Sequence, residues 1–242
     1  RYVCSGIFED LSDRFRIDYL RGYVGFRETW AANPLSQIVQ VATDGGGGEV
    51  VWEERSWIGH VNTSPTQPHL LTFCHEGPWN DVDNRIWGLD LNTRQAWMVR
   101  PREADEAVGH EYWHADGINL GYHGRWPDGR KFFGRVRYDN DDRFEVSFPH
   151  DTGHIHSNDF SLIVGDAGDV VRVWRWNGKD FDGPRVLCEH RSSKHIQQVH
   201  VHPRFSPDGR EVLYTSDVSG YGNLYLVKVP AFETLPELED EG

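Results

Sequence analysis

The chain has 242 residues, a formal net charge of −13 and 38% hydrophobic residues, enough for one large domain with a core or two small ones. The acidic balance argues against a nucleic-acid partner, because no basic field is present to release counterions from phosphates. No apolar run reaches the length of a membrane span, and no charged-then-apolar leader opens the chain.

Three widely spaced cysteines, Cys4, Cys74 and Cys188, are poor evidence for a disulfide framework and fit a reducing compartment. Ten tryptophans and 25 glycines, with few long apolar runs, point to an all-β fold.

In chain order, "FEDLSDRFRIDYL" carries an ambiguous helical periodicity. "QIVQVAT" and "EVVWEER" read as a hairpin around "DGGGG". Next comes "SPTQPHLLTFCHEG" from Ser64, then "RIWGLDL" and "AWMVRP", a second hairpin. "HADGINLGYHGRW" follows from His114 and "SNDFSLIVGDAG" from Ser157. "VVRVWRWN" and "GPRVLCEH" pair around "GKDFD". "SPDGREVLYTSD" from Ser206 and "NLYLVKVP" close the pattern. The four turn-plus-strand units start 50, 43 and 49 residues apart, the period of propeller blades. In "SPDG", Pro fixes φ, Asp accepts backbone hydrogen bonds and Gly takes positive φ. The turn is expected to join the innermost strand of a blade to the second.

The expected fold is an all-β propeller of four-stranded antiparallel blades, with about four blades present. The expected organisation is one propeller over residues 1–232. A partial blade covers 1–56, and blades cover approximately 57–107, 108–150, 151–196 and 197–232. An acidic tail, solvated, follows at 233–242. The last blade lacks an obvious outermost strand. With no initial Met, the chain is expected to be the later part of a larger ring. The tryptophans (Trp57, Trp87, Trp113, Trp174 and Trp176) read as core or inter-blade packing.

The histidines fall in register with the turns. His60, His110 and His202 each lie four residues before the turn residue of their repeat, three of thirteen histidines in the chain. In the third repeat His154 is one out of step. Innermost strands line a propeller's channel, so equivalent positions converge near one rim. In "RSSKHIQQVHVHPRFSPDG", His200 and His202 are i and i+2 and are expected on one side of a strand. Gln197 has the other parity and can join them only from the preceding loop. His110 can reach the same place from another blade. Three imidazoles and an amide oxygen suit Mn²⁺, Fe²⁺, Ni²⁺ or Zn²⁺. His75 ends a strand that returns to this rim, which makes it a candidate general base. A His-x-His pair is also a common structural element. The second such pair, His154 and His156, reads as channel-lining or substrate contact.

"WIGH" (57–60), "FCHEGP" (73–78), "VDNRIW" (82–87), "GHEYW" (109–113) and "QQVHVHPRFSPDG" (197–209) resemble the oligogalacturonate lyase family, polysaccharide lyase family 22. The resemblance runs from about residue 55 to 230. It implies a seven-bladed propeller of the Tol type, a cytoplasmic location, Mn²⁺ (or another divalent transition metal) as cofactor and short oligogalacturonides as substrate. It further implies His110, Gln197, His200 and His202 as metal ligands and His75 as the base. An arginine near the reacting sugar is implied without a matching motif; Arg55 and Arg85 are candidates, and Arg85 reads equally as a structural ion-pair residue. His60 and His156 are expected substrate contacts. The implied reaction is β-elimination at a uronate. The alternative is a non-catalytic Tol-like propeller that binds a peptide or protein across its channel.

Overall fold

The structure, a computed structural model, describes residues 2–238. Five small antiparallel sheets follow one another along the chain, and in each the strands are ordered as they occur in sequence. That arrangement is the topology of a propeller blade. The first sheet has three strands, β1 (Tyr2–Phe8), β2 (Leu35–Ala42) and β3 (Gly48–Arg55). The second has four, β4 (Ile58–Thr63), β5 (Leu70–His75), β6 (Ile86–Asp90) and β7 (Gln95–Met98). The third is β8 (Ala107–Trp113), β9 (Asn119–Arg125), β10 (Lys131–Arg137) and β11 (Phe144–Ser147). The fourth is β12 (Ile155–His156), β13 (Leu162–Ala167), β14 (Val170–Trp176) and β15 (Phe181–Glu189). The fifth has three strands, β16 (Arg204–Phe205), β17 (Glu211–Ser216) and β18 (Asn223–Lys228).

The chain divides into two compact units. One runs to Gly129 and includes Gly134–Phe144; the other holds Arg130–Phe133 and everything from Glu145 onward. In the first unit, β1 lies against β4 and β4 against β8. Its core joins Ile38 and Val51 of the first sheet to Ile58, Leu71, Phe73 and Leu89 of the second. Strand β5 is buried along its whole length, so it reads as a continuous apolar run rather than an alternating one. In the second unit, β12 lies against β16, and Val164, Val171, Val173, Val201 and Val212 form its core. In both units it is the first strands of successive sheets that adjoin.

The turns work as their residue types dictate. Ser64 Oγ accepts the N–H of Gln67 at 3.0 Å, and Ser157 Oγ accepts that of Phe160 at 2.9 Å. Asp116 Oδ1 accepts from Ile118 and Asn119 at 2.8 and 2.9 Å. In "SPDG", Gly209 takes φ +70° and donates to the Ser206 carbonyl at 2.8 Å, the left-handed conformation that glycine tolerates best. Each of these turns joins the first and second strands of its sheet.

Three expectations differ from the structure. The "FEDLSDRFRIDYL" segment forms turns, not a helix. Asp10 Oδ1 captures the Ser12 N–H at 2.8 Å, a local bond that competes with helix formation. The helix α1 lies further on, at Phe26–Ala32, and ends at Asn33 in the left-handed conformation (φ 50°), directly before Pro34. The start of the tail is not a free extension: Leu235 is buried in the second unit's core, beside Phe232, the residue just before the tail. The Phe232 ring lies under the guanidinium groups of Arg175 and Arg185, at 4.6 and 5.5 Å. The rest of the tail, 239–242, lies outside the described residues. Finally, the strand expected through His200 and His202 is not formed: Gln197–Val199 is a 3₁₀ turn, and β16 begins only at Arg204. Among the described residues, no helix is long and apolar enough to cross a membrane.

Candidate active site

The three histidines that share a register in sequence also share a backbone conformation. His60, His110 and His202 have φ of 46°, 49° and 43°, the left-handed region that non-glycine residues seldom occupy. Two of them sit at irregularities in strand pairing. The β4–β5 register shifts between Gly59 and Asn62, and β8–β9 between Gly109 and Tyr112. A bulge of this kind re-aims a side chain out of the regular pleat. His60 and His110 are presented from such bulges. At His200 and His202 no strand forms, so the i, i+2 reading of strand direction does not apply there.

In the first unit, His75 ends β5 opposite Ile58, where β4 begins. Its side chain is 8% exposed and stacks on Trp87, ring centroids 4.7 Å apart. Both ring nitrogens are engaged: Nδ1 with Asp83 Oδ1 at 2.7 Å and Nε2 with Glu54 Oε1 at 2.8 Å. Burial opposes the charged ring, but hydrogen bonds and charge from Asp83 and Glu54 outweigh it and push His75 up to about 9. The neutral imidazole expected of a base is therefore a cation at pH 7 in this arrangement. Neither carboxylate was anticipated from sequence, although Asp83 stands in the "VDNRIW" motif itself.

Arg85 is a buried ion-pair residue, the other side of the alternative left open by its sequence. Its side chain is 2% exposed. Nη1 donates to Glu76 Oε1 at 2.7 Å and Nε to Glu111 Oε2 at 3.4 Å. Burial works against the Glu111 carboxylate, yet the Arg85 and His60 charges hold it below the usual range. His60, expected to touch substrate, joins this cluster: its Nδ1 is 3.3 Å from Glu111 Oε1 and its Nε2 is 3.6 Å from Glu76 Oε2. Arg55 is exposed at the end of β3. His110 Nδ1 pairs with His123 Nε2 at 2.8 Å, and Trp79 lies edge-on to the His110 ring at 5.2 Å. His123 carried no register signal, yet it is the partner.

The second unit holds the other three expected metal ligands. Gln197 opens the 3₁₀ turn, and its carbonyl accepts the His200 N–H at 3.1 Å. The rings of His200 and His202 are 6.1 Å apart, and His154 lies 5.7 Å from the first and 3.7 Å from the second. Asp166 Oδ2 accepts from His154 Nδ1 at 2.9 Å. Desolvation, then the His154 charge, push His202 down to about 4, and the same two causes hold His200 below its ordinary value. Both imidazoles are thus neutral, with lone pairs to offer, which is the state metal ligation requires. A pocket lined by His154, Asp166, Lys194 and His200 opens beside them. His156, expected to contact substrate, is buried and accepts the Phe205 N–H at 3.2 Å through Nδ1; its ring is turned into the core.

The five antiparallel sheets and the histidine-rich bulges define a propeller-type protein with imidazole groups gathered beside carboxylates. The model of the oligogalacturonate lyase family matches residues 13–180, and the chain belongs to that family. It is 32% identical over 229 residues to an oligogalacturonide lyase of Pectobacterium atrosepticum, covering 85% of this chain and 58% of the relative. An oligogalacturonate lyase of Dickeya dadantii is 28% identical over 226 residues, again covering 58% of its length. A solved oligogalacturonate lyase in complex with manganese superposes with a TM-score of 0.75 at 25% identity, over 95% of this chain and 62% of that one. The Vibrio parahaemolyticus oligogalacturonate lyase gives a TM-score of 0.74 at 25% identity, over 94% and 63%. The chain thus spans about three-fifths of the length of these relatives, a partial propeller. A TolB protein from Acinetobacter baumannii, at 15% identity and a TM-score of 0.52, shares the fold alone.

Proposed function

We propose that this chain supplies the metal-binding and base-bearing part of an oligogalacturonate lyase that cleaves short uronides by β-elimination. Family membership supports the reaction class. The observation that carries the reading is His75, held at a strand end with Asp83 on Nδ1. A carboxylate there fixes the ring's orientation and leaves Nε2, now held by Glu54 at 2.8 Å, as the nitrogen to take a proton once it is freed.

The family resemblance implies His110, Gln197, His200 and His202 as the residues that would hold the metal. Within the second unit, the rings of His154, His200 and His202 cluster with centroids 3.7, 5.7 and 6.1 Å apart, an imidazole set that fits a divalent ion. A relative is known in complex with manganese, and the donor set suits that ion. When bound, such an ion supplies a positive charge for the uronate carboxylate and for the enolate-like charge that follows loss of the C5 proton. His75 Nε2 takes that proton. The C5–H electron pair becomes the C4–C5 double bond, the C4–O bond breaks, and the leaving oxygen acquires a proton. For Nε2 to accept, the ring must first give up its own Nε2 proton, to Glu54 or to solvent, and Glu54 must move aside. Arg55, exposed near Glu54 in sequence, is a candidate to pair with the sugar carboxylate. Arg85 is already committed to Glu76 and Glu111. A cytoplasmic location goes with this reading, as the family resemblance implies.

The test is full-length protein with Mn²⁺ and digalacturonate, followed by ultraviolet absorbance of the 4,5-unsaturated product. Product from wild type and none from His75→Ala supports the reading. Absence of product from wild type on any uronide tried sinks it.

A further inference from the structure

Where β4 and β5 begin and end side by side, three different metal-binding side chains of the first unit converge. The nearest donor atoms of His60, Cys74 and Glu76 all lie within 4.8 Å of one another. Glu76 Oε2 is 3.6 Å from His60 Nε2 and 3.9 Å from Cys74 Sγ. In a tetrahedral site with Zn–N and Zn–O near 2.0 Å and Zn–S near 2.3 Å, donor atoms stand about 3.3–3.5 Å apart. The donors therefore need to close by only a few tenths of an ångström to about one ångström.

We propose that His60 Nε2, Cys74 Sγ and Glu76 Oε2 form a site for a soft divalent metal ion of the zinc class, with water in the fourth position.

The surroundings support the ligands as a metal site's outer contacts do. Arg85 Nη1 donates to Glu76 Oε1 at 2.7 Å, which leaves Oε2 facing His60 and Cys74. Glu111 Oε1 and Arg85 Nη2 stand 3.3 and 3.2 Å from His60 Nδ1, so that nitrogen is already engaged and Nε2 is the one that faces Glu76 Oε2. The left-handed bulge at His60 turns its ring toward Glu76 and Glu111. The His60 side chain is 40% exposed, so solvent reaches the fourth position. Gly59 keeps the space open. A Cβ there would meet Cys74 Sγ and Glu76 Oε2, each at 3.2 Å.

The charges balance in both states. Without metal, the Glu76 and Glu111 carboxylates face Arg85 and His60. Burial opposes a charged His60 ring, as does Arg85, but Glu111 and Glu76 outweigh them and raise it above its ordinary value, so the ring holds its second proton more readily. Cys74 is a neutral thiol, because burial raises it well above its ordinary value. Entry of a divalent ion displaces the His60 Nε2 proton and the Cys74 thiol proton. Two protons leave as two positive charges enter, so the buried cluster keeps its net charge. A thiolate ligand selects zinc-class ions over manganese, so the site differs in its metal from the one under Proposed function and does not depend on that reading.

The experiment uses the full chain, stripped with chelator and titrated with Co²⁺ as a spectroscopic stand-in for zinc. The expected result is a near-ultraviolet thiolate-to-cobalt band that Zn²⁺ abolishes and equimolar Mn²⁺ does not. Cys74→Ser should remove the band, whereas Cys4→Ser and Cys188→Ser should retain it. His60→Ala, at a partly exposed position, should weaken Co²⁺ binding at least tenfold, and Gly59→Val should block it with all three ligands present. No thiolate band in the wild type, or a band that survives Cys74→Ser, overturns the proposal. Lyase activity is not part of this readout, so either proposal can fail alone.

Discussion

Glu54 Oε1 sits 2.8 Å from Nε2 of His75, on the nitrogen that a proton-abstracting imidazole must have free. With Asp83 on the opposite nitrogen at 2.7 Å, the ring is clamped between two carboxylates from β3 and from the loop before β6. Trp87 supplies an uncharged face. The clamp has consequences for both activity and stability.

Glu54→Gln removes one of the two carboxylates that raise His75 to about 9. If a neutral ring accepts the C5 proton, wild-type kcat rises with pH toward that value. The rising limb in Glu54→Gln should move to lower pH by about one pH unit. A full pH profile on both proteins checks it, and an unmoved limb removes Glu54 from the proton path.

The same ring binds its proton more tightly folded than unfolded, against an ordinary value of 6.5. Its contribution to stability is therefore full below pH 6.5 and is lost as pH rises through about 9. The difference corresponds to about 3 kcal/mol. Denaturant unfolding at pH 6 and pH 10, for wild type and His75→Gln, should show a pH-dependent gap that closes at the higher pH.

Arg85→Leu should destabilise the first unit by about 3–5 kcal/mol, because Glu111 and Glu76 would keep buried charge without a partner. A thermal melt reads this directly. A substrate-contact arginine would instead leave the melt unchanged and raise KM.

Phe232→Ala should cost about 3 kcal/mol or more in the second unit, since the ring is 8% exposed in the core and lies beneath Arg175 and Arg185. An unchanged melt would mean that the ring does not anchor the C-terminal segment to this core.

His202→Ala and Gln197→Ala should each lower retained Mn²⁺ at least tenfold in metal analysis after dialysis, while His195→Ala should not. Equal retention in all three would remove the Gln197–His202 stretch from the metal site.

The turns and hairpins were legible in the chain because their chemistry is local. Ser64, Asp116, Ser157 and Gly209 act on backbone groups within a few residues, so residue type and spacing suffice. The histidine register was legible for a related reason: a repeat places equivalent residues at equivalent backbone positions. The left-handed backbone that carries it was not, because no glycine marks that residue at His60, His110 or His202.

By itself the sequence determined the all-β class, the blade-length repeat and the histidines that recur with it, since period and turn chemistry reside in neighbouring residues. Tertiary structure alone decided which groups surround those histidines. Glu54 is 21 residues from His75, Glu111 is 26 from Arg85, and Asp166 is 12 from His154. Charge pairing across strands depends on sheet register and on desolvation. Those two factors turn an expected neutral base into a clamped cation, and an expected substrate arginine into a buried strut.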